Sequence, residues 1–232
     1  MNDQVLLETK LRDWVRFLRI GLVVLAVVAV VGAASLLIRS RSASRSAEAF
    51  SALFEVERME ADAANEAQAL KATPLDAMKK WTPEKKKEYE TKIAAVVSTH
   101  DGTTAAVQGA LKLARWKFDE GRFEEALVDY QKALKSGRDN GHALYVAMAY
   151  DGQGATQEAL KNFDAALKTY TEAVQLKDNP LKPLAYLGQA RAHTALEKIA
   201  EAKAAYEEII KQFPNSRYER QARALQALLP GA

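Results

Sequence analysis

Three histidines, His100, His142 and His193, are the first residues to weigh for chemistry. A helical zinc protease places two histidines four apart around a catalytic glutamate, as His-Glu-x-x-His, and no such run exists. Their spacing makes no metal site, and each reads as a surface or turn residue. The paired carboxylates Glu124-Glu125 and Glu207-Glu208 sit among lysines and read as solvated helix faces. Gly152-Gln153-Gly154 has the look of a phosphate-binding turn but lacks the lysine and the preceding strand, so it reads as a turn between two helices. No glycine-framed serine elbow is present. The absence of cysteine excludes disulfides, thiol catalysis, cysteine-ligated metal and lipid attachment at an N-terminal cysteine. No catalytic group, metal site or cofactor is expected; the chain does not read as an enzyme.

The elements around these residues are helical. The 232 residues are 48% hydrophobic, rich in alanine, leucine, glutamate and lysine, with only 11 glycines and 6 prolines. Net charge is +3, and residues 84–232 carry 22 basic against 20 acidic side chains. Nucleic-acid binding needs a concentrated basic surface, which this balance does not supply.

Ile20 to Ile38 is an unbroken run of 19 uncharged residues, 12 of them Val, Leu or Ile. As a helix it spans roughly 28 Å, close to the ~30 Å hydrocarbon core. Its Val, Leu and Ile side chains favour insertion by about 4 to 7 kcal/mol. Arg16 and Arg19 precede it; Arg39, Arg41 and Arg45 follow, all long enough to reach headgroups. A membrane anchor is expected at 20–38. The competing reading is a cleaved signal peptide ending near Val31-Gly32-Ala33, but the apolar run continues through Leu36, Leu37 and Ile38. Four basic residues lie in 1–19 and four in 39–58, so charge does not decide orientation. Residues 1–19, with the stripe Leu7, Leu11, Trp14 and Leu18, are expected as a short cytoplasmic amphipathic segment. The C-terminal part is then expected in the periplasm of a bacterial, single-pass inner-membrane protein.

Residues 39–83 read as a juxtamembrane helix and loop. Phe50, Leu53, Phe54, Glu57, Ala61 and Ala64 keep helical spacing over 46–70. Lys71 to Lys87 reads as a loop, ending at Thr82 as an N-cap with Pro83 in the first helical position.

Residues 84–232 contain an internal repeat. Ala126, Tyr130 and Ala133; Ala159, Phe163 and Ala166; and Ala202, Tyr206 and Ile209 each place an aromatic four residues after an alanine and a small or apolar residue three later. The alanine lets two helices approach, the aromatic fills the gap between hairpins, and the third residue closes the face, so the units must stack. Ala126 and Ala159 are 33 residues apart, but Ala159 and Ala202 are 43 apart. Ala166, Tyr170 and Ala173 fit the same spacing, which leaves two readings: a second helix about two turns longer than usual, or a shifted register. Pro214 ends the third unit, a closing helix holds Ala222, Leu225, Leu228 and Leu229, and Val96 and Val97 belong to a degenerate half-repeat that opens the array. The expected fold is all-α: one transmembrane helix, then an α-solenoid of about three hairpins, a half-repeat and a cap.

These residues resemble the tetratricopeptide repeat family. The layout resembles a narrower group, the YfgM-type ancillary subunits of the SecYEG translocon and the related CpoB-type cell-division coordinators. Thr99-His100-Asp101-Gly102-Thr103 with Ala105 and Ala106, and Leu113-Ala114 before Gly121 and Ala126, carry that likeness. The lysine-rich loop between Pro74 and Lys87 and the stretch after Gly154 depart from it. The resemblance implies protein partners near the translocon: its subunits, envelope chaperones or exported chains. It also implies a groove lined by the first helix of each hairpin. Arg115, Met148 and Arg191 fall at its ninth position, with Leu111, Asp119, Leu144, Asp151 and Leu187 alongside. Arginine supplies planar donors and methionine adapts to varied shapes, so this face is expected to hold an extended peptide or a partner helix. The alternative function is a structural assembly factor that self-associates within a division or secretion complex.

Overall fold

The computed structural model describes residues 35–37, 39–68, 71–139 and 141–230. The chain divides into two units, Met1–Ala47 and Glu48–Ala232. In the first, residues 35–37 and 39–47 are helical. The expected segment 1–19 and nearly all of the expected anchor 20–38 lie outside the described residues. Among the described residues no helix is long and apolar enough to cross a membrane.

The second unit begins with α1, residues 48–68. Its buried face is Ala49, Leu53, Val56, Ala63 and Ala67, whereas Phe50 and Phe54 are 46% and 62% exposed. The inward stripe is thus offset from the expected one: only Leu53 of the predicted set lies on it. Small residues let α1 approach its neighbours closely, and two phenylalanines would hold it away. On the same face Glu60 accepts from the Tyr89 hydroxyl at 2.6 Å and from Lys112 Nζ at 2.7 Å.

The segment expected as a loop contains a helix, α2 (Pro74–Lys79). Thr73 and Asp76 form a capping box: Asp76 N donates to Thr73 Oγ1 at 3.2 Å, and Thr73 N donates to Asp76 Oδ2 at 3.1 Å. Thr82 caps α3 (Pro83–Thr99) by accepting from Lys85 N at 3.3 Å, with Pro83 opening the helix. Trp81, Tyr89 and Trp116 meet edge-on or tilted, ring centres 5.3 to 6.1 Å apart, and join α1, α2, α3 and α4 in one core.

Three hairpins follow: α4 (Thr104–Asp119) with α5 (Phe123–Asp139), α6 (Ala143–Ala159) with α7 (Phe163–Gln175), and α8 (Lys182–Ala195) with α9 (Ile199–Gln212). Helix α10 (Arg217–Gln226) packs on α9 and closes the array. Pro214 lies exposed in the turn between α9 and α10.

Each hairpin turns the same way. The amide of Arg122 donates to Lys117 O at 2.8 Å, Asn162 to Gln157 O at 2.8 Å, and Lys198 to His193 O at 2.9 Å. This six-residue closure requires a left-handed residue just before the donor. Gly121 takes it in the first hairpin (φ 77°), but Lys161 (φ 62°) and Glu197 (φ 59°) take it in the others.

The turns fix the register. The buried triplets are Ala126–Tyr130–Ala133, Ala166–Tyr170–Ala173 and Ala202–Tyr206–Ile209, each starting three residues into its helix. Ala126 and Ala166 are 40 residues apart, Ala166 and Ala202 are 36 apart. The expected second triplet is therefore corrected: Ala159 is the exposed last residue of α6, Phe163 is the half-buried first residue of α7, and the unit begins at Ala166. The long-helix reading fails too, since α7 has 13 residues; the extra length of the 40-residue interval lies in α5 and α6, at 17 each.

The hairpins differ in the polar pair that links their two helices. In the first, Lys117 Nζ donates to Asp129 Oδ2 at 2.6 Å, with the Asp129 side chain 3% exposed. In the second, Thr169 Oγ1 donates to Gln157 Oε1 at 2.7 Å. In the third, the corresponding positions are His193 and Ala205; the buried His193 Nδ1 has no hydrogen-bond partner among the described residues, and burial holds the imidazole below its usual pKa.

Candidate functional site

Helices α4, α6 and α8 pack side by side, while α5, α7 and α9 make no comparable contacts with one another among the described residues. The first helices of the hairpins therefore form the inner face. Counted back from the shared turn, three sets of positions come into register: Leu111, Asp151 and Leu187; Arg115, Ala155 and Arg191; Asp119, Ala159 and Ala195.

This register corrects the expected one. Met148 is not equivalent to the two arginines; its counterparts are Gln108 and Leu184. It remains on the inner face, 42% exposed. Leu144, one turn earlier, is exposed at the start of α6. Leu187 is 4% exposed and belongs to the core of the third hairpin, not to an open surface. Leu111, 8% exposed, does both: it belongs to the core of the first hairpins and lines the cleft described next.

The cleft has a volume of about 550 Å³. Leu111, Arg115, Asp119 and Met148 line it, as the sequence suggested for a groove. Its opposite wall was not foreseen: Glu57 and Glu60 of α1, and Leu75 and Met78 of α2. Tyr145, whose hydroxyl is hydrogen-bonded by Gln108, completes it. The α1 and α2 residues come from well upstream, Glu60 lying 52 positions before its partner Lys112, and their spacing along the chain carries no trace of this meeting.

The charges of the inner face are arranged in pairs, with one exception. Arg115 Nε donates to Asp119 Oδ2 at 2.9 Å, and the guanidinium lies over the Phe118 ring at 5.6 Å. That hydrogen bond holds the Arg115 guanidinium above its usual pKa. Arg191 donates to Glu158 Oε2 from Nε at 3.2 Å and Nη2 at 3.1 Å, and from Nη2 to the Tyr170 hydroxyl at 3.1 Å. Asp151 makes no hydrogen bond and no ion pair with a described residue. Burial pushes its carboxyl above the usual range, against the pull of Arg191 and Arg115. Each arginine expected to supply donors to a partner already serves a carboxylate of this chain, Arg115 through Nε alone.

The Gly152-Gln153-Gly154 run lies in the middle of α6, not in a turn. The glycines make room for the tyrosines of the second helices. A Cβ on Gly152 would stand 2.6 Å from the Tyr130 hydroxyl oxygen. On Gly154 it would stand 2.5 Å from Tyr170 Cζ, and Gly188 presses the same ring from α8 at the same distance. The histidines do not converge. His142 Nε2 is 3.0 Å from Thr104 Oγ1, and among the described residues no group of three or more His, Cys, Asp or Glu could hold a metal.

The architecture is thus an all-helical, repeat-built array with an inner face, and the comparisons with known proteins agree. Tetratricopeptide repeat models match residues 103–179 and 184–216. A tetratricopeptide repeat protein from Parabacteroides merdae ATCC 43184 superposes with a TM-score of 0.53 at 16% identity, over 76% of this chain and 59% of that one. The chain thus spans less than two thirds of that protein. Tetratricopeptide-like repeats of a putative kinesin light chain from Podosopora anserina superpose with TM-scores of 0.55 (a single-residue variant, 12% identity) and 0.52 (14% identity). These cover 75% and 74% of this chain, and 84% and 82% of theirs. No curated protein matches the chain in sequence. The segments 103–179 and 184–216 are thus tetratricopeptide repeats, a repeat type that generally binds other proteins.

Proposed function

We propose that the chain is a membrane-tethered adaptor of the bacterial envelope, binding partner proteins on the inner face of α4, α6 and α8. One observation carries the binding role: the cleft of about 550 Å³, apolar at Leu75, Met78, Leu111 and Met148 and rimmed by charge, with Asp151 one helical turn beyond Met148 on α6. The apolar run 20–38 with its flanking arginines supports the tether; charge is balanced across it, and the likeness to ancillary translocon subunits is what favours a periplasmic repeat domain. The likeness to ancillary translocon subunits points to the SecYEG translocon, envelope chaperones or exported chains as partners.

A photoreactive residue in place of Arg115, read by mass spectrometry in cells, tests the adaptor role. Adducts with translocon subunits, chaperones or exported chains are expected; no adduct from the groove would sink it. An inactive alkaline phosphatase fusion at the C-terminus would overturn the orientation. The exposed Phe50 and Phe54 of α1 favour a second reading, self-association in a structural assembly. Adducts between copies alone, together with an oligomer by light scattering, would establish it instead.

A further inference from the structure

We infer that the groove selects a partner segment by a basic side chain, a lysine or arginine that pairs with Asp151, next to apolar side chains that enter the Leu111–Met148 cleft. The inference rests on the groove reading above and narrows it to one partner chemistry.

The argument starts from the position of Asp151. Its counterparts in the neighbouring repeats are Leu111 and Leu187, both buried. A leucine therefore fits this place in the fold, and the carboxylate there is half-buried at an electrostatic cost. Ion pairs within the chain do not offset that cost. Arg115 is held by Asp119, and Arg191 by Glu158 and the Tyr170 hydroxyl. Both guanidiniums attract Asp151 only at longer range. The Tyr130 hydroxyl, close enough to feel the Asp151 charge, makes no hydrogen bond to a described residue.

The charges sum in one direction. Asp119, Asp151 and Glu158 stand against Arg115 and Arg191, so pairing leaves one negative charge over, at Asp151. Acceptors are also in excess, since Glu158 Oε1 is buried without a hydrogen-bond partner among the described residues. The cleft has the same bias, with Glu57, Glu60 and Asp119 against Lys112 and Arg115. An acidic segment would have to compete with Asp119 and Glu158 for the two arginines and lie against the unpaired Asp151. A basic side chain needs no rearrangement: it supplies the donors that Asp151 and the Tyr130 hydroxyl lack, in a charge-assisted bond. The cleft beside it has room for one or two large apolar side chains.

The test is selection of a random dodecapeptide library, displayed on phage, against the full 232-residue chain in a mild non-ionic detergent. Peptides carrying Lys or Arg beside Leu, Phe or Met are expected to enrich. A fluorescein-labelled copy of the best peptide should bind at least about 10-fold more tightly than its copy with the basic residue changed to Leu. Asp151→Asn should lose the same factor, and the two losses should not add. Asp151→Leu, matching the neighbouring repeats, should keep the apolar preference and drop the basic one. Enrichment of Asp or Glu, or a basic preference unchanged in both Asp151 variants, would overturn the inference while leaving the groove a peptide site. A library that yields no binder at all would refute the groove itself, and the inference with it.

Discussion

Tyr170 is fully buried, and its ring is clamped between Gly154 of α6 and Gly188 of α8. Gly154→Ala sets two effects of known size against each other. Helix propensity alone favours alanine in a helix interior by about 1 kcal/mol. The new methyl would stand 2.5 Å from Tyr170 Cζ, about 1 Å inside ordinary carbon contact. The ring has no retreat, because Gly188 stands equally close on the other helix. Overpacking of this kind costs about 1 to 3 kcal/mol, and a trapped ring belongs near the top of that range. The net expectation is a loss of about 2 kcal/mol, read as a lower urea midpoint by circular dichroism. Tyr170→Leu in the same chain should remove most of the penalty, with a coupling of about 1 kcal/mol or more between the two sites. A Gly154→Ala protein that gains about 1 kcal/mol, as propensity alone dictates, would refute the clamp.

Asp129→Ala strands Lys117, whose side chain is only 14% exposed. It should cost about 2 kcal/mol in urea unfolding, less than a fully buried pair, because Glu125 remains 3.7 Å from Lys117. Lys161→Gly and Glu197→Gly remove side chains from left-handed backbone and should each add about 0.5 to 1 kcal/mol of stability, read as a higher midpoint in thermal melts. Asp151, with its folded pKa above the ordinary 3.8, has the opposite linkage to a salt-bridged acid. Its favourable contribution is complete below that value and is lost as pH rises through the folded pKa. Asp151→Asn should therefore stabilise the chain at pH 7 and make little difference at about pH 3.5, by urea midpoints at the two pH values.

How much of this was readable in the sequence depended on how local each signal is. The alanine–aromatic triplets at Ala126 and Ala202 were plain, as were Thr82 as a cap and Pro214 as a stop, because each depends on a few adjacent residues. The second repeat was misplaced by seven residues, two helical turns, so a continuous helical pattern runs unbroken in the sequence across the turn that separates α6 from α7. The turns would have corrected it, but Lys161 and Glu197 occupy left-handed positions where glycine is expected, while Gly154, which resembles a turn, serves Tyr170. Helix α2 has six residues, too short for periodicity, although the Thr73-to-Asp76 spacing announced its capping box. The inward face of α1 was obscured by Phe50 and Phe54, whose size suggested burial. Site residues were found one by one, since helical spacing places them on a common face. Their pairing was not, because Arg191 meets Glu158 and Lys112 meets Glu60 across helices.

The unlike polar links of the first two hairpins, and the apolar counterpart in the third, bear on how the chain assembles. Near-identical modules strung on one polypeptide invite a helix to dock with the wrong mate, since the apolar faces are almost interchangeable. Here the mates are keyed. Were α4 to close on α7, Lys117 would face Thr169 and its ammonium would be entombed without a counter-charge; were α5 to close on α6, Asp129 would meet the amide of Gln157. Each mismatch forfeits a charge-assisted bond worth more than the neutral one it would replace. The pairing of α4 with α5 is thereby written into their interior, because any other mate for α4 leaves the Lys117 ammonium without Asp129.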